Sequence, residues 1–355
     1  MVKYLIDFGA SISFVNNNII SIHPVIYWND LELLKYLISQ KLDINRQDKN
    51  GHSPLIYAIK RRNISIIQCL IEHGADIQLV NNQIKIIDSI IDHERLDILK
   101  YLVTKNLDIN SQDEEGQTPL IHAIKRRKLD VMKYLIDYKA DIKAVNDKIK
   151  VIDSVIDYNK LDILDCLVNK NLNINSQDEV GHTPLIYAIH RGNFNIIKYL
   201  IEHGADIQIV NRKIETLKTI IDRGQLNILD YLINKKLDIN SKDKEGHTLL
   251  AYAIKSRKIE VIKYLIDHGA NLRNINQKVK LIKESVIFWN ELEILKYLVK
   301  HHLNIHQKDE NGNTLLHYAI EYKKSNIIDY LKKFENNSID KQNNECHHQA
   351  KKTKI

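Results

Sequence analysis

The residues best equipped for chemistry are sixteen histidines and three cysteines. A ligand set or a proton relay needs donors that meet at one point, which sequence shows as short, fixed spacings. The histidines do not show them. His52, His182 and His247 each follow Gly and precede Ser or Thr, while His73, His203 and His268 each precede Gly-Ala. Histidines that recur in one context, many tens of residues apart, mark copies of a structural position. Cys346-His347-His348 has donors of the right type but no fourth partner at a known spacing. No G-x-x-x-x-G-K-[ST], G-x-G-x-x-G or Cys-x-x-Cys occurs. The chain is expected to be no enzyme and to carry no cofactor and no metal.

Charge is the next resource. The net charge is +7 with a pI near 8.9. Lys60-Arg61-Arg62 and Lys125-Arg126-Arg127-Lys128 look like pieces of a nucleic-acid stripe, but Asp92-His93-Glu94 and Asp157-Tyr158-Asn159 fall between them in the same register. A polyanion needs one continuous basic face, so no nucleic-acid partner is expected. Lys and Arg suit helix C-termini for a simpler reason, the partial negative charge there. Lys351, Lys352 and Lys354 read as a solvated tail. No run of about 18 apolar residues exists, and the N-terminus lacks a basic-then-apolar leader. No membrane association is expected. Cys69 and Cys166 lie in different repeats and are not expected to pair, which suits a reducing compartment. The expected location is intracellular, in the cytoplasm, or in that of a host for a viral or bacterial effector.

The elements that must carry these residues follow from self-similarity. A turn of the type Asp-x-x-Gly-x-Thr-Pro-Leu starts at Asp48, Asp113, Asp178, Asp243 and Asp309, in steps of 65, 65, 65 and 66. In the copy from Asp178, Pro184 opens a short helix whose apolar face is Leu185, Ile186, Ala188 and Ile189. Ile196, Ile197, Leu200 and Ile201 give a second helix, and Gly204 ends it. Neither helix is long enough to persist alone. The second half of each period is a relative of the first: Leu70 matches Leu102, Leu135 matches Leu167, and Leu200 matches Leu232. Each period therefore holds two units, one with the full turn and one that has lost it.

The pattern Gly-x-Thr-Pro-Leu, an Ala on helix one, then the second-helix apolar run and Gly-Ala-Asp resembles the ankyrin repeat, over about residues 1 to 337. The resemblance implies an all-α solenoid of stacked helix-turn-helix units, about ten of them, and a protein-binding role. There are departures. The His that follows the turn in the family is Ile56, Ile121, Ile186 and Ala251 here, and survives only as His317. The Gly between the helices is kept as Gly192 and Gly224 but is Arg62, Arg127, Arg257 or Lys323 elsewhere.

Met1 to Ala10 aligns with a second helix, so Leu5 and Ile6 are expected to lack cover. A degenerate unit follows, from Ser11 to about Gln47. Asn16, Asn81, Asn146, Asn211 and Asn276 recur at one position in the degenerate units and are expected to cap helices. Leu135, Leu167, Ile197, Leu200, Ile201 and Leu265 are expected in a single continuous core. Lys332 stands where Ile71 and Ile201 stand in other units and reads as a C-terminal cap. Residues 1–337 are expected to form one array without an internal boundary, and 338–355 a polar, disordered tail. Leu-x5-Asp-Ile-Asn at Asn45, Asn110 and Asn240 is similar to the sequence that asparagine hydroxylases accept in ankyrin repeats, and is also simply the repeat consensus.

The helix-one ends vary where the core positions stay constant. By analogy with the family, these ends hold the partner, through Trp28, Lys60, Arg61, His93, Lys125, Arg126, Tyr158, Arg191, Arg223 and Trp289. The expectation is a monomeric, non-catalytic scaffold for protein partners. An adaptor subunit of an enzyme or ubiquitin-ligase assembly, and a non-functional repeat-gene remnant, are the alternatives.

Overall fold

The computed structural model describes residues 2–18 and 22–334. Cys346-His347-His348 and the expected tail lie outside them. By its internal contacts the chain divides into two compact units, Met1–Pro184 and Leu185–Ile355. Both are helical, and no strand occurs among the described residues.

In the first unit the segment from Asp48 shows how the repeat is built. Asp48 Oδ1 accepts from the backbone N–H of Asn50 at 2.8 Å and of His52 at 2.9 Å. The turn closes with Gly51 at φ 75°, a left-handed conformation that glycine adopts without steric penalty. Ser53 then accepts from the Ile56 N–H at 3.4 Å, with Pro54 opening the helix Pro54–Arg61. The second helix is Ile64–Glu72. Leu55, Ile56, Ala58, Ile59, Ile66, Ile67 and Leu70 are all 0% exposed. Each large side chain so buried contributes about 1.5–3 kcal/mol, which is what makes eight- and nine-residue helices persist.

The degenerate segment that follows has no projecting turn. A short helix Gln78–Asn81 runs into the 3₁₀ segment Ile84–Ile87, then Asp88–Asp92 and the second helix Leu96–Thr104. The same succession returns with the 3₁₀ segments Ile149–Val151 and, in the second compact unit, Ile214–Leu217.

The asparagines expected to cap helices do not cap them. Asn16, Asn81 and Asn146 Oδ1 accept from the backbone N–H of Asp43, Asp108 and Asn173 at 2.7, 2.9 and 2.8 Å. In the second unit Asn211 and Asn276 do the same for Asp238 and Asn304, both at 2.9 Å. Each binds the loop that closes its own repeat, 27 or 28 residues on. Asn45, Asn110 and Asn240 bridge forward in turn, to the N–H of Asp76, Asp141 and Asn271, each at 2.8 Å. Backbone amides at the loops are thus satisfied by a relay of side-chain amides.

The loss of glycine between the helices leaves the geometry unchanged. Arg62, Arg127, Arg257 and Lys323 hold φ of 59°, 57°, 54° and 54°, beside 69° and 65° for Gly192 and Gly224. The second unit differs in one respect. Its last degenerate segment runs Arg273–Asn276, Val279–Ile282 and then a π-helical turn, Lys283–Ile287, in which the Phe288 N–H donates to the Lys283 carbonyl at 2.9 Å. Val279-Lys280-Leu281-Ile282 matches Ile84-Lys85-Ile86-Ile87, and Glu284-Ser285-Val286-Ile287 matches Asp88-Ser89-Ile90-Ile91. Lys283 is the extra residue that makes the last period 66 rather than 65, and the π turn is how the helix absorbs it.

Leu135, Leu167, Ile197, Leu200 and Leu265 are 0% exposed. Ile201 departs from expectation and is only half-buried, as are Ile71 and Ile266. These lie on the flank of helix two, one residue beyond the core-facing Leu. Lys332, exposed beside the buried Leu331, therefore replaces a flank residue rather than a core one. The helix Val2–Asp7 leaves Tyr4, Leu5 and Phe8 exposed.

Candidate partner-binding surface

All ten residues expected to meet a partner are exposed. They sit at or just after the C-terminal ends of first helices, such as Pro54–Arg61, Pro119–Lys125 and Pro184–Arg191. Earlier in the same helices Leu55, Ile56, Leu120, Ile121, Leu185 and Ile186 are buried, so these ends project from a fixed core.

The ends are organised by cation–ring contacts that the sequence did not disclose. The Arg61 guanidinium lies 4.5 Å from the Tyr27 ring centre, and Trp28 meets Tyr27 edge-on at 5.0 Å. Arg61, Tyr27 and Trp28 line one cavity of about 300 Å³ with His23 and Tyr57. Trp28 is 77% exposed at its rim. Further along the first unit, Arg62 Nη1 meets His93 Nδ1 at 3.2 Å, and Arg127 stacks on Tyr158 at 3.8 Å. In the second unit Arg257 stacks on Trp289 at 4.4 Å, while Phe288 meets Trp289 at 5.6 Å and Tyr322 at 5.5 Å. The arginines that replaced the inter-helix glycine thus each reach the ring or imidazole at the end of the next first helix. Such contacts are worth about 0.5–1 kcal/mol at exposed sites, comparable with the cost of a left-handed non-glycine residue.

Opposite charges in adjacent repeats pair with each other. Arg126 Nε lies 3.1 Å from Asp92, and Lys128 Nζ lies 2.8 Å from Glu94. Arg223 donates to the Arg191 carbonyl at 2.9 Å. Lys60 Nζ meets His52 Nε2 at 2.8 Å. Burial, then the neighbouring Lys60 charge, holds the His52 imidazole below its ordinary value. Of the ten, Arg126 is therefore already committed to a carboxylate, whereas Arg61 is held by a ring.

The projecting turns and the recessed degenerate segments create grooves, and the sequence reading missed them. In the first unit a groove of about 980 Å³ lies over 82–92, between the turns at 48–53 and 112–115. Its lining carries two lysines, Lys60 and Lys85, against five carboxylates that include Asp88 and Asp113. His122 sits beneath those two, with Nδ1 2.8 Å from Asp88 and Nε2 3.0 Å from Asp113. In the second unit the register-equivalent groove, about 820 Å³, has five lysines against three carboxylates. Three segments far apart in sequence build each groove, so no local motif announces it. The available signal was the sixty-sixth residue of the last period.

The turns themselves are tied down. Burial by itself would raise the Asp243 carboxyl, but the Tyr252 hydroxyl at 2.6 Å and the backbone N–H of His247 and Glu245 outweigh it and hold it below the ordinary carboxylate range. Asp48 is lowered in the same way, and its partner Tyr57 is pushed up to about 12 by burial and that bond. Asp243, Glu245 and His247 have ligand-type atoms within 4.8 Å of one another, yet Asp243 is committed to the turn. Among the described residues no helix is long and apolar enough to cross a membrane. Cys69 and Cys166 are both free.

Comparison with known proteins agrees with the geometry. Residues 22–71 match ankyrin repeats (many copies), and 86–146, 151–211, 211–278 and 285–352 match ankyrin repeats (3 copies). A putative ankyrin repeat protein of Acanthamoeba polyphaga mimivirus is 28% identical over 247 residues, 65% of this chain and 32% of that protein. One from fowlpox virus is 25% identical over 248 residues, 65% of this chain and 38% of its own length. A palmitoyltransferase of Lachancea kluyveri is 26% identical over 184 residues, 50% of this chain and 21% of that enzyme. The chain thus spans about a third of the first two relatives and a fifth of the enzyme. Turn, paired helices, register and family matches over most of the chain agree, and the chain belongs to the ankyrin repeat proteins.

Proposed function

We propose that this protein is a non-catalytic, monomeric scaffold that holds a protein partner on its helix-one ends. Ankyrin repeats indicate a protein-interaction module. The observation that carries the finer reading is the pair of exposed ring clusters at the two tryptophans. Trp28 and Trp289 are 77% and 56% exposed, each beside an arginine and a second aromatic ring. The arginine contact covers only part of each ring and leaves the rest in water, and Trp, Tyr and Arg are the residues that anchor interfaces, each often worth at least ~2 kcal/mol on truncation. The interleaved Asp92–Arg126 and Glu94–Lys128 pairs favour a partner of mixed charge over a nucleic acid. Free Cys69 and Cys166 support a reducing compartment. The test starts with an affinity pull-down from the native cell. Arg61→Ala, Arg126→Ala and Trp289→Ala, each with an unchanged melting curve, should weaken the recovered partner. If all three bind like wild type while Lys198→Ala and Lys296→Ala on the exposed second-helix face abolish binding, the surface is wrongly placed.

A further inference from the structure

Substitutions and one insertion set the charge of the second unit's groove apart from that of its counterpart. Lys278 replaces Gln83, Phe288 replaces Asp92, Lys308 replaces Gln112, and Asn311 replaces Glu115. The insertion is Lys283 itself, placed by the π turn so that its ammonium lies 4.0 Å over the Tyr318 ring at the groove wall. π turns are rare and are frequent at functional sites. This one changes the floor of a groove rather than lengthening an exposed loop.

We propose that this groove receives an acidic segment of the protein partner, its carboxylates met by Lys255, Lys280, Lys283 and Lys308. The inference rests on the protein-binding reading above and names the chemistry of one part of that surface. Charge complementarity carries it. Among the described residues no carboxylate lies within ion-pair distance of Lys255 or Lys308, and Lys280 reaches only Glu284, at 3.9 Å with both side chains well exposed. Of the three lining carboxylates, Asp309 is committed to the Tyr318 hydroxyl and to the N–H groups of Asn311 and Asn313. Lys278 donates to the Gly246 carbonyl at 3.0 Å, which ties the floor to the preceding turn and leaves its charge in the groove. The volume of about 820 Å³ is within the range of ligand clefts, and the walls concentrate the field of the lysines on whatever enters. The acidic groove of the first unit shows that this polarity is not a property of the repeat.

The experiment uses the full chain with fluorescein-labelled octaglutamate, followed by fluorescence anisotropy. Wild type should bind saturably at about 50 mM salt and several-fold more weakly at about 200 mM, as screening requires. The combined Lys255→Gln, Lys280→Gln and Lys283→Gln variant should lose at least ~10-fold in affinity, about 1.4 kcal/mol. Lys85→Gln, the first unit's equivalent of Lys280 and not one of the helix-end residues, should leave octaglutamate binding unchanged. Deleting Lys283 restores the 65-residue period and should keep the helical signal while weakening octaglutamate binding. The proposal is overturned if the triple variant binds like wild type, if no saturable binding occurs, or if labelled oligothymidylate binds more tightly than octaglutamate. Those outcomes leave the helix-end surface untouched, because its test uses the recovered partner and different residues.

Discussion

Arg257 offers a direct measurement of what the arginines at the inter-helix position do. Two effects oppose each other there. At φ 54° the residue is left-handed, which costs a non-glycine residue about 1 kcal/mol. Its guanidinium lies 4.4 Å from the Trp289 ring and 3.7 Å from Glu291. The stacking contributes about 0.5–1 kcal/mol and the half-exposed ion pair about 0–1. Arg257→Ala keeps the backbone cost and removes both contacts, so a loss of about 1 kcal/mol is expected. Arg257→Gly removes the same contacts but relieves the backbone, less about 0.5 kcal/mol for the freer unfolded chain. The expected order is wild type, at or slightly above Gly, then Ala, with Gly above Ala by about 0.5–1 kcal/mol. That gap is about 1–4 °C in melting midpoint for a unit of this size. Urea melts followed by tryptophan fluorescence in a Trp28→Phe background would report Trp289 alone, since the chain has two tryptophans. If Ala and Gly are indistinguishable, residue 257 is not left-handed in solution. If Ala equals wild type, the ring contact contributes nothing.

Other expected outcomes follow from the same packing. Asp243→Asn can still accept the two turn N–H groups but cannot titrate. The Asp243 carboxyl is held below its ordinary value in the fold, so the stability it lends is present above about pH 4 and lost as pH falls through the folded value. The variant should flatten the acid limb of a stability–pH curve, and an unchanged limb would show that the turn carboxylate is not linked to folding. Leu200→Ala, at a fully buried position, should cost about 2–5 kcal/mol by denaturant melt. The neighbouring Ile201→Ala should cost clearly less, and equal losses would contradict its half-buried placement. Asn81→Ala, which removes the 2.9 Å bond to the Asp108 N–H, should cost about 0.5–1.5 kcal/mol and speed amide exchange at Asp108.

What the chain states locally was legible without coordinates. The turn from Asp48 obeys short-range rules: a carboxylate that accepts its own downstream N–H groups, a glycine at positive φ, and Ser or Thr with Pro at a helix start. Burial at Leu135, Leu167, Leu200 and Leu265 follows from helical spacing, and exposure at Arg61, Tyr158 and Trp289 from position at a helix end. The remainder depends on partners that have no identity in the sequence. Asn81 bonds a backbone amide 27 residues on, and any residue there would supply the same N–H, so the asparagine read as a cap. Ile201 and Leu200 are adjacent and equally apolar, and only the packing of neighbouring helices decides which one faces the core. Arg257 looked like a lost glycine until Trp289 stood 4.4 Å away. Lys283 was visible as a sixty-sixth residue, but an insertion in sequence is compatible with a longer loop or with a wider helical turn. The tertiary structure selects the turn, because Ile282 and Val286 on either side are buried and cannot leave the core to make a loop.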